Sequence, residues 1–178
     1  MSDARRAADI IQRIRSMAMP GEAERVPILL SNVVEDSLAF LRPELSRHKV
    51  EPVLELMPQL PQVLADRVQL QQVFVNLAVN AIQAMAGRPE RKLIIRIQSE
   101  PEGIKVEVED TGPGIPSDNI DRLFGSFFTT KKNGMGIGLA ICRSIIEAHG
   151  GRIRVANLGK GKGARFSFTL PTLPLGQV

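Results

Sequence analysis

A row of side-chain amides runs along one side of a helix predicted over residues 66–86. At about 100° of rotation per helical residue, the members of this amide row project within roughly 40° of Asn76; the row consists of Gln69, Gln72, Asn76, Asn80 and Gln83. Amide oxygens one turn apart can bind Mg²⁺, which prefers oxygen ligands and keeps water and phosphate in its shell. A solvated helix face would normally carry Lys and Glu, and Asn is a poor residue for a helix interior. The pattern therefore admits two interpretations, a cation site or a plain solvated face.

Asp110 ends a strand predicted over residues 104–110 and is the second candidate for chemistry. The alternation of the strand puts Asp110 on the same side as the apolar residues Val106 and Val108. A carboxylate on that side needs a partner, because burying it unpaired is costly. An exocyclic amine on a planar heterocycle would be such a partner, and Gly112 and Gly114 would let the backbone approach it closely. The alternative is an Asp that opens a surface turn.

A glycine-rich segment leads into a helix predicted over residues 137–149. Gly134, Gly136 and Gly138 lie at its start, and free backbone amides at a helix N-terminus attract phosphate. Their spacing matches neither the dinucleotide pattern G-x-G-x-x-G nor a P-loop. A second glycine run at 159–163 is not followed by a predicted helix or by a P-loop pattern. It predicts a hairpin turn between the last two strands.

An aromatic segment precedes the first of these glycine runs. It contains Phe124, Phe127 and Phe128, three of the seven Phe residues in the chain. Loops seldom expose so many aromatic rings, so these residues either belong to the core or anchor a mobile lid with a docking surface.

The remaining periodicities define the elements that must hold these residues. Residues 1–19 predict an amphipathic helix that ends at Pro20. Ser31 is a suitable N-cap for a second helix to about residue 47, in which Pro43 would mark a kink or an early end. Strands are predicted over 50–56, 93–98, 104–110, 152–156 and 165–170. The pattern favours an α+β two-layer sandwich, in which a mixed sheet of about five strands is covered on one face by about three helices, with a lid between.

The composition excludes several classes of function. The 178 residues carry 23 Lys and Arg against 19 Asp and Glu, a net charge of +4, and the sequence pI is about 9.6. Scattered basic residues without Trp or Tyr lack the stacking platform of a nucleic-acid interface, so no nucleic-acid partner is expected. No apolar run approaches the roughly 18–20 residues of a membrane span, so no membrane contact is expected either. The single cysteine, Cys142, excludes an internal disulfide and predicts a small core residue in a reducing compartment.

In this order, the segments resemble the N, G1, F and G2 boxes of sensor histidine kinases, within the gyrase, chaperone, histidine kinase and mismatch-repair ATPase superfamily. The resemblance covers about residues 26–171. The amino-acid sequences of segments 72–85, 127–131 and 147–151 are most similar to those of the nitrogen- and oxygen-sensing type of bacterial two-component kinase. It implies ATP and Mg²⁺ as ligands, with Asn76 and Asn80 holding the metal on the triphosphate and Asp110 accepting from the adenine amine. The implied ATP-binding set is Asn76, Asn80, Gln83, Asp110, Gly112, Gly114, Phe124, Thr130, Lys131, Gly134, Gly136, Gly138 and Leu139.

The resemblance also implies a reaction and its partners. A protein-histidine kinase domain transfers the γ-phosphoryl group of ATP to a histidine outside this chain, from which a response-regulator aspartate takes it. Asn76, Asn80 and Lys131 would be catalytic. Lys131 would replace a lysine that many relatives carry at the position of Gln83; the alternative is that Lys131 is a solvated lysine on a mobile loop. The partners would be a histidine-bearing dimerisation domain, homodimeric in the full-length protein, and the response regulator. The fragment would be cytoplasmic, with or without a membrane tether in upstream segments.

By the same resemblance the chain divides into four parts. Residues 1–19 would be the C-terminal part of a dimerisation and phosphoacceptor hairpin helix, and 20–25 a linker. Residues 26–173 would form the catalytic and ATP-binding domain, and 174–178 a tail.

The sequence departs from the family pattern at two points. Hydrolases of the superfamily carry a Glu four residues before the metal-binding Asn, where this chain has Asn76, so transfer is favoured over hydrolysis. The chain contains only two histidines: His48 precedes Lys49 rather than an acidic residue, and His149 fits a helix C-terminus, where the dipole favours a cation. Both are interpreted as structural, so the fragment is not expected to phosphorylate itself. Two alternatives stay open, a same-fold ATPase that acts as a conformational switch and a nucleotide-stabilised module that docks a helix.

Overall fold

Seven strands and four helices make up the part of the chain that the computed structural model describes, residues 24–125, 137–159 and 161–173. The strands are β1 Val26–Ile28, β2 Glu51–Leu56, β3 Val63–Ala65, β4 Lys92–Glu100, β5 Gly103–Asp110, β6 Arg152–Asn157 and β7 Ala164–Leu170. The helices are α1 Leu30–His48, α2 Arg67–Ala84, α3 Ser117–Ile120 and α4 Gly138–Ala148. The helix predicted over 1–19 and the tail at 174–178 lie outside the described residues.

Five of the strands form one mixed sheet in the order β2-β4-β5-β7-β6. Strand β2 pairs with β4 in parallel, and the other three pairings are antiparallel. The short strands β1 and β3 form a separate antiparallel pair. The predicted mixed sheet of about five strands is confirmed, whereas the sequence does not predict β1 and β3, because three residues are too few to show an alternation.

The core lies between the sheet and three helices, α1, α2 and α4. Helix α2 is the central one, and its buried residues are Leu70, Val73, Phe74, Leu77, Ala78, Ala81 and Ile82. Phe74 packs edge-on against Phe168 of β7, with ring centroids 5.6 Å apart. The predicted two-layer arrangement, with helices on one face, is therefore confirmed.

The opposite face of the sheet carries charged side chains. Glu107 and Glu109 of β5 point to this face yet are only 7% and 4% exposed. Arg96 of β4 lies 2.6 Å from the carboxylate of Glu109, and Lys105 lies 3.0 Å from that of Glu107. Arg165 of β7 is paired with both glutamates. These ion pairs bury the two carboxylates with partners, as desolvated charges require.

Helix α1 differs from its prediction at the start and in the middle. The predicted N-cap at Ser31 is wrong: the helix begins at Leu30, and the capping residue Leu29 makes no side-chain hydrogen bond. Of the two alternatives for Pro43, a kink or an early end, the early end is wrong, because the helix continues to His48, close to the predicted end near residue 47. Pro43 and Ala39, whose carbonyl oxygen loses its helical partner, lie on the exposed side, so water can satisfy that oxygen.

Candidate functional site

A cavity of about 270 Å³ lies beside the C-terminal half of α2. Its walls come from α2, the loop after β5, α3, the first turn of α4 and the start of β7; the lining residues are Asn80, Gln83, Ala84, Asp110, Pro113, Gly114, Ile115, Pro116, Asn119, Leu123, Leu139, Ala164 and Phe166. Most of these side chains are apolar, and the polar groups are few. Such a lining suits a planar heterocycle that needs a small number of directed hydrogen bonds.

Asp110 is the one carboxylate among the described residues that line this cavity. The residue is 4% exposed and lies on the same face of β5 as Val106 and Val108, as the alternation predicts. Its Oδ1 atom accepts hydrogen bonds from the N–H of Gly112 at 2.8 Å and from that of Ala164 at 3.4 Å. Desolvation raises the pKa of the Asp110 carboxyl above its usual 3.8, and the two amide donors oppose this only in part. The surface-turn alternative does not describe a residue so deeply buried.

Two glycines allow the backbone to close around Asp110. A Cβ atom on Gly163 would lie 1.8 Å from the carbonyl oxygen of Asp110, and one on Gly112 would lie 2.7 Å from its Oδ1. Gly163 also has a φ of +101°, which favours glycine. The predicted hairpin turn at 159–163 is confirmed, since Asn157 pairs with Ala164. The sequence does not predict that its last glycine abuts Asp110, because the contact joins residues far apart in the chain.

The amide row is not a solvated face of α2. Gln69, Gln72, Asn76 and Asn80 are half-buried, and only Gln83, at the end of the row, is exposed. Within the described part of the chain, Gln72 Nε2 and Asn76 Nδ2 are buried without a hydrogen-bond partner. A buried donor without an acceptor costs about 1–3 kcal/mol. Both donors are shut off from solvent, and the Asn76 amide lies against the thiol of Cys142.

The thiol of Cys142 lies against the middle of the amide row. Cys142 is fully buried in α4, and its Sγ is 3.9 Å from the carbonyl oxygen of Val73. Burial raises its pKa to about 12, and the adjacent Asn76 amide lowers it by less, without the geometry of a full hydrogen bond. The predicted role as a small core residue agrees with this environment.

The start of α4 approaches the amide row. A Cβ atom on Gly138 would lie 3.9 Å from the side chain of Asn76, so the last glycine of the predicted phosphate segment is next to the predicted metal ligand. Leu139 lines the cavity. Gly134, Gly136, Thr130 and Lys131 lie outside the described residues, and their roles stay predictions.

Phe124 packs against Phe166, a residue that lines the cavity. Its ring is half-buried and meets the ring of Phe166 edge-on, with centroids 6.3 Å apart and planes at 88°. Phe124 therefore packs against the core, one of the two alternatives for the aromatic segment. Phe127 and Phe128 lie outside the described residues.

Both histidines have structural partners. The Nδ1 of His149 is 2.8 Å from the carbonyl oxygen of Ile145, and its Nε2 accepts a hydrogen bond from the backbone N–H of Asp66 at 3.0 Å. One ring nitrogen accepts a hydrogen bond and the other lies against a carbonyl oxygen, which is the pattern of a neutral imidazole. The expected attraction between a charged imidazole and the helix dipole therefore does not explain why His149 lies at the end of α4. His48 lies 3.4 Å from the carboxylate of Glu44, one turn earlier in α1.

Several cavity residues are missed by reasoning from the sequence. They are Ala84, Pro113, Ile115, Pro116, Asn119, Leu123, Ala164 and Phe166. Ala164 and Phe166 are in a predicted strand or next to it, but the sequence does not show which strand lies beside β5. Of the predicted residues, the structure brings Asn80, Gln83, Asp110, Gly114 and Leu139 to one cavity.

None of the helices in the described part of the chain is long and apolar enough to cross a membrane. Among the same residues, no three His, Cys, Asp or Glu side chains are grouped so that they could hold a metal ion.

Comparisons with known proteins show the family to which the chain belongs. Residues 65–174 match the family described as histidine kinase-, DNA gyrase B-, and HSP90-like ATPase. The sensor protein FixL of Bradyrhizobium diazoefficiens is 46% identical over 167 residues, which are 93% of this chain and 33% of FixL. The chain spans about a third or less of the length of the first curated relatives it matches.

Solved structures show the same fold. The catalytic domain of histidine kinase ThkA is 32% identical with a TM-score of 0.76, and the match covers 84% of this chain and 96% of that domain. ThkA in complex with response regulator protein TrrA matches with a TM-score of 0.77 at 28% identity, over 98% of this chain and 50% of that one.

Proposed function

The chain belongs to the histidine kinase-, DNA gyrase B-, and HSP90-like ATPase family and has the fold of a histidine kinase catalytic domain; from this premise we propose that it binds Mg-ATP and transfers the γ-phosphoryl group to a histidine outside this chain. A response-regulator aspartate then takes the phosphoryl group from that histidine.

The observation that carries the proposal is the cavity in which the desolvated carboxylate of Asp110 lies among apolar walls. Asp110 accepts from two backbone amides but keeps acceptor capacity, because each carboxylate oxygen has two lone pairs. The adenine amine is a donor of the right kind, and Ile115 and Phe166 supply apolar surfaces for its ring. Gly112 and Gly114 keep the loop close to the base.

The triphosphate would extend along the amide row toward the start of α4. Asn76 and Asn80 have the amide oxygens that suit Mg²⁺ as ligands, and the start of α4 lies beside Asn76, since a Cβ atom on Gly138 would be 3.9 Å from its side chain. When bound, Mg²⁺ supplies neutralisation of the negative charge that the phosphates carry during transfer. We assign Gln83, Gly134, Gly136 and Gly138 to the phosphates, and Phe124, Thr130 and Leu139 to the surrounding wall and lid. Lys131 would bind the triphosphate as a point charge.

Transfer is favoured over hydrolysis because the amide row has no general base for water. Helix α2 contains no Asp or Glu, and Asn76 cannot accept a proton as a carboxylate would. Neither histidine is a suitable acceptor, since His149 is buried between two backbone groups and His48 pairs with Glu44. The acceptor histidine therefore belongs to another segment or domain.

The partners follow from this reaction. We propose that residues 1–19 are the end of a dimerisation hairpin, that 20–25 are a linker and that 26–173 are the catalytic domain, with 174–178 as a tail. The full-length protein would be a homodimer through the histidine-bearing hairpin and would act on a response regulator. We place the domain in the cytoplasm, where ATP and the regulator are available.

Radiolabelled ATP tests the proposal. The purified chain is incubated with Mg²⁺ and [γ-³²P]ATP, with and without a histidine-bearing dimerisation hairpin taken from a sensor kinase relative. We expect ATP binding, negligible phosphate release and no label on the chain alone, but label on the hairpin. Asn80→Ala should abolish labelling, whereas Asn32→Ala, at an exposed position on α1, should leave it unchanged.

Two results would overturn the proposal in different ways. Steady phosphate release without any hairpin would indicate an ATPase that acts as a conformational switch. Absence of nucleotide binding would indicate a docking module. A hairpin in which the histidine is replaced by Gln must stay unlabelled, or the label is not on that histidine.

A further inference from the structure

Asn157, the last residue of β6, holds the loop that follows β5. Its Oδ1 accepts a hydrogen bond from the N–H of Ile115 at 2.8 Å, and its Nδ2 donates one to the carbonyl oxygen of Ile115 at 2.7 Å. The side-chain amide thus satisfies both backbone groups of one residue, as a neighbouring strand would do. The two residues are 42 positions apart in the sequence, so the contact is tertiary.

The residues held in this way form a wall of the cavity. Gly114 and Ile115 both line it. Gly114 has a φ of +81°, and a Cβ atom there would lie 2.8 Å from Asn157 Oδ1. The loop is therefore seated directly against Asn157, and glycine is required both for the conformation and for the close approach.

The strand pair that carries Asn157 also holds the opposite side of the cavity. Asn157 pairs with Ala164 in the β6–β7 register, and Leu158 donates to the carbonyl oxygen of Gly163 at 3.0 Å. Ala164 in turn donates its N–H to Asp110. The end of the β6–β7 hairpin thus contacts both sides of the cavity. Ala164 holds the carboxylate of Asp110, and Asn157 holds the loop at Gly114 and Ile115. These two contacts set the distance between the carboxylate and the loop.

We propose that Asn157 is a positioning residue for the base of the bound nucleotide: it holds Gly114 and Ile115 at the separation from Asp110 that a planar ring needs. This inference rests on the proposed nucleotide-binding function. Asn157 does not line the cavity itself and acts through Ile115.

The chemistry of the pair explains why an amide is needed. A carboxylate at this position would keep an acceptor for the Ile115 N–H but place a second oxygen against the Ile115 carbonyl. An aliphatic side chain would satisfy neither group. Asn157 is exposed, so water competes for the bonds, and each contributes about 0.5–1.5 kcal/mol.

Binding measurements on Asn157→Ala test the proposal. Isothermal titration at a temperature well below the melting temperature is done with ATP, ADP and adenosine, on wild type, Asn157→Ala and the control Asn32→Ala. We expect the three affinities of Asn157→Ala to fall by a common factor, about three- to tenfold, with the control equal to wild type. In the hairpin-labelling reaction, the half-saturating ATP concentration should rise and the maximal rate should stay the same.

The alternatives give different results. A merely structural role would lower the melting temperature and leave the affinities of the folded protein unchanged, which would overturn the proposal. A loss for ATP alone would place the effect at the phosphates and would also overturn it. If wild type binds no adenine nucleotide, the proposed function itself fails; if wild type binds and Asn157→Ala binds equally well, only this inference fails.

A second variant isolates the donor half of the contact. Asn157→Asp preserves the shape of the side chain and the acceptor for the Ile115 N–H. It places a carboxylate oxygen, in place of the Nδ2 donor, against the carbonyl oxygen of Ile115. We expect a loss for ATP, ADP and adenosine at least as large as that of Asn157→Ala. Wild-type affinities would show that the Nδ2 hydrogen bond has no positioning role.

Discussion

Asp110 is subject to opposite demands from folding and from binding. Its carboxyl is 4% exposed, and desolvation raises its pKa above 3.8. The native state therefore holds this proton more tightly than the unfolded chain does. The unfolding free energy gains a favourable contribution as the pH falls from above the raised pKa toward 3.8, and it lacks that contribution above the raised pKa. Adenine binding, by contrast, needs the ionised acceptor.

Asp110→Asn should separate the two demands. The amide removes a desolvated charge and can still accept from Gly112 and Ala164, so we expect an equal or higher melting temperature at neutral pH. It also turns a donor toward the adenine amine, so ATP affinity should fall about ten- to 100-fold. Calorimetry and titration measure the two quantities.

The control for this variant is Asp121→Asn, an exposed carboxylate outside the cavity lining, which should change neither quantity. Unchanged ATP affinity in Asp110→Asn would show that Asp110 does not recognise the base. A large fall in melting temperature would show that the charge stabilises the fold.

At the residue scale, prediction succeeds where one element contains the whole pattern. Asp110 is found from the alternation of its own strand, and Asn76 and Asn80 from the spacing along one helix. Asn157 and Gly163 are missed because their partners, Ile115 and Asp110, are reached only through the pairing of β5, β6 and β7. The sequence of a hairpin turn does not indicate which loop lies against it.

At the element scale, His149 joins two helices. It lies at the C-terminal end of α4 and accepts from the backbone of Asp66, the residue that caps α2 through a hydrogen bond to the N–H of Gln69. Arg25 donates to the carbonyl oxygen of Ala148 at 2.6 Å, so the segment before β1 meets the same helix end. These contacts fix the start of α2 and hence the orientation of the amide row.

His149→Phe should therefore destabilise the domain without removing a phosphoacceptor. Leaving the Asp66 N–H without a partner costs about 1–3 kcal/mol, a fall in melting temperature of roughly 2–12 °C for a domain of this size. Labelling of the added hairpin should persist at low temperature. His48→Ala, at a partly exposed position on α1, should shift the melting temperature little. Loss of labelling by folded, ATP-bound His149→Phe would contradict the structural assignment.

Element prediction succeeded best for long segments with clear end signals. Helix α2 was predicted over 66–86 and extends over Arg67–Ala84, with Asp66 as its N-cap. The predicted start of α1 is wrong because Ser31 looks like an N-cap, while the observed N-cap is Leu29, two residues earlier. Tertiary packing of Leu30, which is fully buried, overrides the local capping preference.

At the scale of the whole molecule, ligand binding should be visible as stability. The cavity and the amide row are built from the core helix α2 and the central strand β5, so a nucleotide that binds only the folded state stabilises the entire domain. Mg-ATP at 100 times its Kd should add about 2.7 kcal/mol, a rise in melting temperature of roughly 5–10 °C.

Differential scanning calorimetry with and without Mg²⁺ measures this shift. Omitting the metal should reduce the rise for ATP and change it little for adenosine, because adenosine has no phosphates. An absence of any shift with Mg-ATP would contradict nucleotide binding. An ATP shift independent of Mg²⁺ would contradict the metal role of Asn76 and Asn80.

The sequence predicts the class of architecture, but it does not predict which side chains cover the second face of the sheet. Alternating strands and apolar helices favour a sheet with helices on one face. The covering of the other face by Glu107, Glu109 and their basic partners depends on the strand order, which brings Arg96 and Arg165 to either side of β5.

Helix α2 has a consequence for how the protein tolerates mutation. One side of it forms the amide row, and most of its other residues are in the core, with Val68 at the N-terminal end a clear exception at 71% exposed. Most substitutions on this helix should therefore affect either the proposed ligand site or the packing of the core. Few positions should tolerate a change without loss of binding or stability. Under random drift, α2 should accumulate changes more slowly than α1, whose outer side is free to vary.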